Sequence, residues 1–290
     1  MTRIHRQITL GHRLQSVSLP ELSVSEVEYG PRRSIAEHGH EHANISLVLS
    51  GAFDETIDRI THRATACSLV FKPAHLLHHD RFGPHGARLL VIELKPDRAR
   101  GRQWSRVFDG PPWVRDVTLA AIGLNVYRSF CRCVDGDEGA ACRLQSEVEN
   151  LLEARARQEP QSRVLGPPAW LAPARRRLLE SGRPRVRDVA AMADVHPVYF
   201  ARVFRRHFRC SAREYRRRQA VMRAAELLSC SDLALANVAR TVGFADQSHL
   251  CREFRRELRV TPTGIPPSDA ARMRLQTFKT LRFGPHKVRP

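Results

Sequence analysis

At 290 residues the chain is long enough for about two domains that each bury a core of their own. It contains no run of about 18 apolar residues, which argues against a membrane-spanning helix, and its polar N-terminus lacks the apolar segment and cleavage site of an export signal. Seven cysteines, an odd number scattered along the chain, suit a reducing compartment better than a disulfide framework. We therefore expect a cytoplasmic protein with no membrane partner.

The net charge of +18 is unevenly placed. Residues 171–290 contain 26 Lys or Arg and 10 Asp or Glu, whereas residues 1–170 contain 22 and 20. A positive charge that served solubility alone would be spread along the chain. Its concentration in the last 120 residues predicts a polyanion as partner, bound by phosphate neutralisation and counterion release.

From about Glu21 to Lys95 the sequence consists of short apolar runs that end at turn residues. The runs recur at roughly ten-residue spacing; examples are Asn44–Ser50 before Gly51, Cys67–Lys72 before Pro73 and Ala87–Leu94 before Pro96. Many short strands at this spacing predict an all-β sandwich or barrel over residues 1–110.

The same region holds eight of the 14 histidines, all between positions 38 and 85. Their order resembles the two cupin motifs, with HxH, a polar residue and a closing glycine in the first (His38, His40, Asn44, Gly51) and proline followed by histidine in the second (Pro73, His78). In metal-binding cupins the ligands are these three histidines and an acid. Asn44 stands where the acid would be, and a neutral amide is a poorer ligand than a carboxylate.

Three interpretations of this histidine cluster remain open. The one we favour is an effector pocket without metal, formed by His38, His40, Asn44 and His78. In the second, His38, His40 and His78 give a three-nitrogen Zn²⁺ site. In the third, the histidines have no ligand at all. We expect no cofactor and no catalytic residues, because no second catalytic set accompanies the histidines.

Beyond Pro111-Pro112 the apolar period becomes helical. Leu144, Val148, Leu151 and Leu152 share one helix face, and we predict a helical dimerisation region over residues 111–158. The segment 159–169, rich in proline, predicts an interdomain linker.

Two similar units follow, offset by 50 residues. In the first, Val186, Val189, Ala190 and Ala193 form a helix face, Asp194 occupies a turn, and Pro197 begins a second helix. Phe200, Phe204 and Phe208 are expected to face inward, and Val198, Ala201, Arg202 and Arg205 outward.

The second unit repeats this arrangement. Leu235, Val238, Ala239 and Val242 form the first face, Gly243 ends that helix, and Asp246 caps the next. Leu250, Phe254 and Leu258 are expected inside, with Gln247, Ser248, Cys251, Arg252 and Arg255 outside. Two helices joined by a short turn, the second basic, describe a helix-turn-helix.

A connecting helix is predicted from Ser211 to about Ser229, beginning with a capping box at Ser211 and Glu214. Its roughly 27 Å could place two reading helices about one DNA turn, roughly 34 Å, apart. One chain could then enter two successive major grooves.

The stretch from Trp170 to Thr263 resembles the DNA-binding domain of the AraC/XylS family of bacterial transcription regulators. The resemblance lies in VRDVAAMADVHPVYFARVFRRHF, in GFADQSHL and in the closing Thr-Pro. It implies that the second helix of each unit reads bases, through Val198, Ala201 and Arg202 in one copy and Gln247, Ser248, Cys251 and Arg252 in the other. Asp194 stands where glycine is usual, and Gly264 to Pro267 interrupts what is a short terminal helix in the family.

The sequence therefore predicts a transcription regulator with a cupin-like sensing barrel (1–110), helices (111–158), a linker (159–169), an all-α domain with two helix-turn-helix motifs (170–268) and a basic tail (269–290). Expected partners are double-stranded DNA, a small effector and a second copy of the chain, with RNA polymerase as a further candidate. One alternative is a cupin-type metal-dependent enzyme with an accessory nucleic-acid-binding domain. Another is a non-specific architectural DNA binder, which would show little preference among sequences.

Overall fold

The protein is described by a computed structural model that covers residues 3–5, 10–95, 104–158, 166–180 and 184–266. Strands come first along the chain and helices follow. The strands are β1 (Arg3–His5), β2 (His12–Ser18), β3 (Leu22–Tyr29), β4 (Ser34–His40), β5 (Asn44–Ile57), β6 (Ile60–Thr65), β7 (Leu69–Lys72), β8 (His78–Leu94) and β9 (Trp113–Val114). The helices are α1 (Val117–Val134), α2 (Ala140–Ala156), α3 (Leu171–Leu179), α4 (Val186–Met192), α5 (Pro197–Phe208), α6 (Ala212–Cys230), α7 (Leu235–Thr241) and α8 (Gln247–Leu258).

The nine strands belong to one sheet built around the two longest, β5 and β8, which pair with each other in antiparallel fashion. The first part of β8 also pairs with β4, and its second part with β3. Likewise β5 pairs with β7 at its start and with β6 at its end. Because each long strand changes neighbours along its length, the sheet bends back on itself and encloses an interior.

Both long strands run through residues that the sequence suggested were strand ends. Gly51 was expected to close a strand, but β5 continues to Ile57, and β8 begins at His78 rather than Ala87. Gly51 has a φ of 74° and lies at a register shift between β5 and β8. A Cβ there would lie 2.2 Å from the Gly86 carbonyl oxygen. The glycine therefore permits a bulge rather than a turn.

The two faces of the sheet bury different apolar groups. Inside the barrel, Val27, Tyr29, Phe53, Phe82 and Leu89 belong to one cluster. The opposite face, with Leu47, Leu69 and Ile92, joins a second and larger cluster that includes residues of α1, α2, α6, α7 and α8. The predicted helix face of Leu144, Val148, Leu151 and Leu152 is fully buried in this second cluster.

Helices α3 to α5 form a third cluster around Leu171, Leu178, Phe200 and Phe204. The first helix-turn-helix unit therefore has its own core, whereas the second shares a continuous core with α1 and the outer face of the barrel. No helix in the described part of the chain is both long and apolar enough to cross a membrane.

The predicted fold class is confirmed, with an all-β N-terminal unit followed by helices that include two helix-turn-helix motifs. The sheet extends slightly past residue 110, because β9 pairs with β7. Most of the linker predicted at 159–169, namely residues 159–165, and the whole basic tail at 269–290 lie outside the described residues.

Candidate functional site

The first helix-turn-helix unit has the turn and the N-terminal proline that its sequence predicts, and a side-chain cap in addition. Asp194 takes a φ of 52°, the left-handed conformation that the turn between α4 and α5 requires. His196 caps α5, since its Nδ1 accepts a hydrogen bond from the Val198 amide at 3.3 Å, and Pro197 is the first residue of the helix. Phe200 and Phe204 are fully buried, while Phe208 is half-buried.

The second unit uses the residues of its own turn in the same way. Gly243 takes a φ of 87° after α7. Asp246 then caps α8, because its Oδ1 accepts from the His249 amide at 2.7 Å. Leu250, Phe254 and Leu258 are all completely buried. The predicted inward face of this helix is therefore confirmed at these three positions.

Most of the predicted base-reading positions are solvent-exposed. Val198, Ala201, Arg202 and Arg205 are exposed on α5, as are Gln247, Ser248, Arg252 and Arg255 on α8, whereas Cys251 is half-buried. Val198 is 70% exposed, an unusual position for a large apolar side chain. The Arg202 guanidinium lies over the Tyr199 ring at 5.5 Å, which holds it at the surface of α5. Both helices thus present short polar or apolar groups beside arginines.

A set of ion pairs fixes α8 to the connecting helix α6. Arg217 contacts Glu257 at 3.1 Å and Glu253 at 3.2 Å, and Arg218 contacts Glu257 at 3.3 Å. Arg256 also pairs with Glu253. The two glutamates are mostly buried, so these contacts are screened less than surface pairs. Glu253 and Glu257 were not predicted from the sequence as functional residues, although both lie on the α6 side of α8.

The barrel interior contains the predicted histidine cluster. Strand register places His38 directly opposite His78, and Asn44 directly opposite Lys72. The ring centroids of His38, His40 and His78 lie between 4.2 and 5.1 Å apart. All four predicted effector-binding residues, His38, His40, Asn44 and His78, are buried and gathered at one place.

Three charged residues that the sequence analysis missed lie beside the histidines. Glu55 pairs with Asp80 across β5 and β8, and Lys72 contributes from β7. The Lys72 ammonium donates to Glu55 Oε1 at 3.0 Å and to His78 Nε2 at 3.2 Å. The Trp113 indole donates to the other Glu55 oxygen at 2.6 Å. Period-two alternation along β8, from His78 to Asp80 and Phe82, was the available signal that Asp80 faces inward.

Burial and mutual charge set the protonation of this cluster. Burial, reinforced by the Lys72 ammonium, lowers the pKa of His78 far below its ordinary value, so His78 is neutral. Burial raises the pKa of Asp80 to about 7, against the attraction of Lys72. Burial alone would lower the pKa of Lys72, but attraction to Glu55 and Asp80 outweighs it and the pKa is raised. Lys72 is therefore a fixed buried cation.

The space among these side chains is small. The cavity lined by His38, His40, Asn44, Lys72 and Asp80 has a volume of about 20 Å³, which is room for one water-sized group. Asn44 Nδ2 and Asp80 Oδ1 are buried there without a hydrogen-bond partner among the described residues. A buried donor and a buried acceptor in this state are costly unless a small polar group satisfies them.

A larger cleft of about 270 Å³ lies nearby and is open to solvent. Arg32, Arg63 and Arg81 line it together with Asp54, which pairs with Arg63 at 3.8 Å and with Arg81 at 3.4 Å. Phe53 and Phe82 line both this cleft and the small cavity. These two residues therefore separate the histidine cluster from the outer cleft.

The barrel unit contacts the second helix-turn-helix unit directly. Helix α1 packs against α8, and Arg128 of α1 donates to the Arg259 carbonyl at the end of α8 at 3.1 Å. Arg115 pairs with Glu226 of α6 at 3.2 Å. A displacement of α1 would therefore act on α8, and a displacement of Arg115, which precedes α1, would act on the connecting helix α6.

Comparison with known proteins gives matches for both parts of the chain. A family model described as a helix-turn-helix domain matches residues 189–265. The regulatory protein PocR of Salmonella typhimurium is 36% identical over 78 residues, covering 27% of this chain and 26% of that protein. The chain thus matches only about a quarter of the length of this curated relative.

Solved structures similar to the N-terminal part include a cupin superfamily protein from Desulfitobacterium hafniense, with 18% identity, a TM-score of 0.25, and coverage of 30% of this chain and 83% of that one. Another is the oxalate decarboxylase of Bacillus subtilis, with 19% identity, a TM-score of 0.24, and coverage of 26% of this chain and 21% of that one. The barrel is defined by its own strand pairings.

Proposed function

We propose that this chain controls transcription at specific DNA sites in response to a small effector, because residues 189–265 are a helix-turn-helix domain of the AraC type and a barrel packs against that domain. The observation that carries the proposal is the pair of reading helices, α5 and α8. Each follows a turn residue with positive φ, begins at a side-chain cap, buries apolar residues on one face and exposes arginines on the other.

In this proposal base recognition is divided between exposed side chains of the two helices. Arg202 and Arg252 are the candidates for guanine contacts, because a guanidinium can donate twice to O6 and N7 in the major groove. Val198 offers an apolar surface suited to a thymine methyl group. The remaining proposed contacts are Ala201 and Arg205 on α5, and Gln247, Ser248, Cys251 and Arg255 on α8.

Base recognition by Arg252 can be separated from general attraction to phosphate. Arg252→Ala should weaken binding to the preferred site by about 1–3 kcal/mol and relax the base preference at one position. The preferred site is first obtained by selecting bound sequences from a random DNA pool. Arg213→Ala, on the exposed side of α6, is the matched control and should leave the base preference unchanged. Equal losses of Arg252→Ala affinity on selected and random DNA would contradict the assignment.

We place the effector-recognition site at His38, His40, Asn44 and His78. The orphaned Asn44 amide and Asp80 carboxyl oxygen support the placement, since a ligand group that donates and accepts would satisfy both. The cavity holds one water-sized group, so an effector inserts a small polar group there and displaces Phe53 or Phe82 to extend into the outer cleft.

The effector site can be tested by screening small molecules for thermal stabilisation of the full-length protein. A true effector should stabilise the wild type and Arg213→Ala equally, and should lose its effect in His78→Ala. DNA affinity without effector should be the same in the wild type and in His78→Ala. A compound that stabilises His78→Ala as strongly as the wild type would move the site elsewhere.

Contacts between α1 and α8 are the proposed route from the barrel to the DNA interface. Arg128→Ala removes the hydrogen bond to the Arg259 carbonyl without touching either proposed binding site. It should reduce the change in DNA affinity that an effector produces while leaving the affinity without effector unaltered. An undiminished effector response would exclude this contact as part of the route.

The proposal includes a cytoplasmic location, dimerisation through a second copy of the chain, and RNA polymerase as a further partner. The apolar face of α2 cannot form the dimer contact, because Leu144, Val148, Leu151 and Leu152 are buried within the chain. A dimer would have to use other surfaces of α1 and α2, and light scattering on the purified protein tests it. The alternative of a metal-dependent enzyme is disfavoured because the Lys72 ammonium already contacts the His78 nitrogen that a metal ion would need.

A further inference from the structure

The histidine cluster has the composition of a metal site. His38, His40 and His78 bring ring nitrogens within 4.8 Å of one another, and a second group of Glu55, His78 and Asp80 does the same with two carboxylates. All five residues are buried. Imidazole and carboxylate are ligands of Zn²⁺ and of other divalent first-row metals. The two groups share His78, so any ion that used either of them in full would need the free nitrogen of that ring.

The free nitrogen of His78 is already used by a protein cation. His78 Nδ1 lies 3.1 Å from the Leu76 carbonyl oxygen, an acceptor, so Nδ1 carries the proton and Nε2 carries the lone pair. That lone pair accepts from the Lys72 ammonium at 3.2 Å. The same ammonium also donates to Glu55 Oε1 at 3.0 Å, while Trp113 donates to Glu55 Oε2. Lys72 therefore occupies ligand atoms of both groups at once.

We propose that the Lys72 ammonium takes the place of a divalent metal ion in this barrel, so that the chain stabilises its histidine cluster with an internal cation and binds no metal there. Lys72 is buried and paired on both sides. A divalent ion at the shared His78 nitrogen would lie within a few ångströms of this positive charge. Repulsion between two cations at that distance is strong in a buried site. The volume of about 20 Å³ beside the ammonium does not allow the two to separate.

This arrangement predicts a gain of metal binding on removal of the lysine. Lys72→Ala frees the Nε2 lone pair of His78 and the Glu55 carboxylate, and so makes each of the two three-residue groups available to an ion. Three imidazole nitrogens, with water in the fourth position, form a known ligand set for Zn²⁺. The variant should therefore bind one ion per chain, about a hundredfold or more tighter than the wild type does at this site.

The experiment measures Zn²⁺ binding to full-length proteins by titration calorimetry, with elemental analysis after dialysis. Other histidines and cysteines can bind Zn²⁺, so each protein is compared with a second form that also carries His78→Ala. Only binding that His78→Ala removes counts as binding at this site. Lys95→Ala is the matched control, because Lys95 donates to the Leu19 carbonyl at 2.7 Å, at the end of the sheet. It should behave as the wild type.

Two results would overturn the proposal. One is that the wild-type protein binds one Zn²⁺ per chain and that this binding is lost with His78→Ala. The other is a folded Lys72→Ala protein with no gain in His78-dependent binding. Should Lys72→Ala not fold, Lys72→Met retains most of the aliphatic stem and removes the charge, and the same gain is expected from it. The first result depends only on the wild type and His78→Ala, so it can be obtained even if neither Lys72 variant folds.

Discussion

Asp80→Asn is expected to change how the stability of the barrel responds to pH. Burial raises the pKa of Asp80 from 3.8 to about 7 in the folded protein. Between these values the folded carboxyl keeps its proton while the unfolded chain releases one. The contribution of Asp80 to the free energy of unfolding is therefore largest below about pH 4 and is lost as the pH rises toward 7.

His78 has the opposite dependence. Burial and the Lys72 ammonium lower its pKa, so the folded protein leaves it neutral where the unfolded chain is protonated. Its contribution is complete above the ordinary value of about 6.5 and is lost as the pH falls below it. Between about pH 4 and 6.5 the folded protein holds about one more proton at Asp80 and about one fewer at His78 than the unfolded chain does. The two effects cancel, so these residues make the wild-type free energy of unfolding change little with pH. Lys72, Glu55 and the other two histidines face both groups and are present in all the proteins compared.

Removing either Asp80 or His78 leaves the pH dependence of the other residue without a compensating effect. One proton corresponds to about 1.4 kcal/mol per pH unit. From pH 4.5 to 6.5 the free energy of unfolding of Asp80→Asn should therefore rise by about 3 kcal/mol relative to the wild type. His78→Gln should fall by a similar amount over the same range. Urea unfolding followed by tryptophan fluorescence measures this, since Trp113 is hydrogen-bonded to Glu55. Variant curves that run parallel to the wild-type curve would refute the argument.

Three further outcomes are expected. Arg202→Ala should relax base preference at a position about one helical turn, roughly 34 Å, from the position affected by Arg252→Ala; an effect on the same base pair would contradict the two-groove arrangement. DNA affinity should fall with salt at a log–log slope of about −0.9 per phosphate neutralised, and an affinity indifferent to salt would remove the electrostatic argument. Phe254→Ala should lower the free energy of unfolding by about 3–5 kcal/mol, because the ring is completely buried; urea denaturation showing a much smaller loss would mean that α8 repacks.

The helical half of this protein was largely determined by its sequence, for a physical reason. Caps, turns and helix faces depend on residues three or four positions apart, so Asp194, Gly243 and Asp246 could be assigned from local spacing alone. The exposed and buried faces of α8 followed from the same period. The association of α8 with α1 and α6 did not follow from it, because Arg128 contacts the Arg259 carbonyl, and Arg217 contacts Glu257, across long separations in the chain.

In the barrel, local spacing identified the histidines but not the residues around them. Gly51 suggested the end of a strand, and only the pairing of β5 with β8 shows that it lies at a bulge within a long strand. The same register placed Glu55 opposite Asp80, and Lys72 opposite Asn44. Nothing near Lys72 in the sequence indicates a buried cation, because a lysine is favoured in the interior only where a distant carboxylate and an imidazole lone pair receive it. The sequence alone identified His38, His40, Asn44 and His78 as candidates to bind a ligand; the tertiary structure decided that a lysine of the same chain already donates to the free nitrogen of His78.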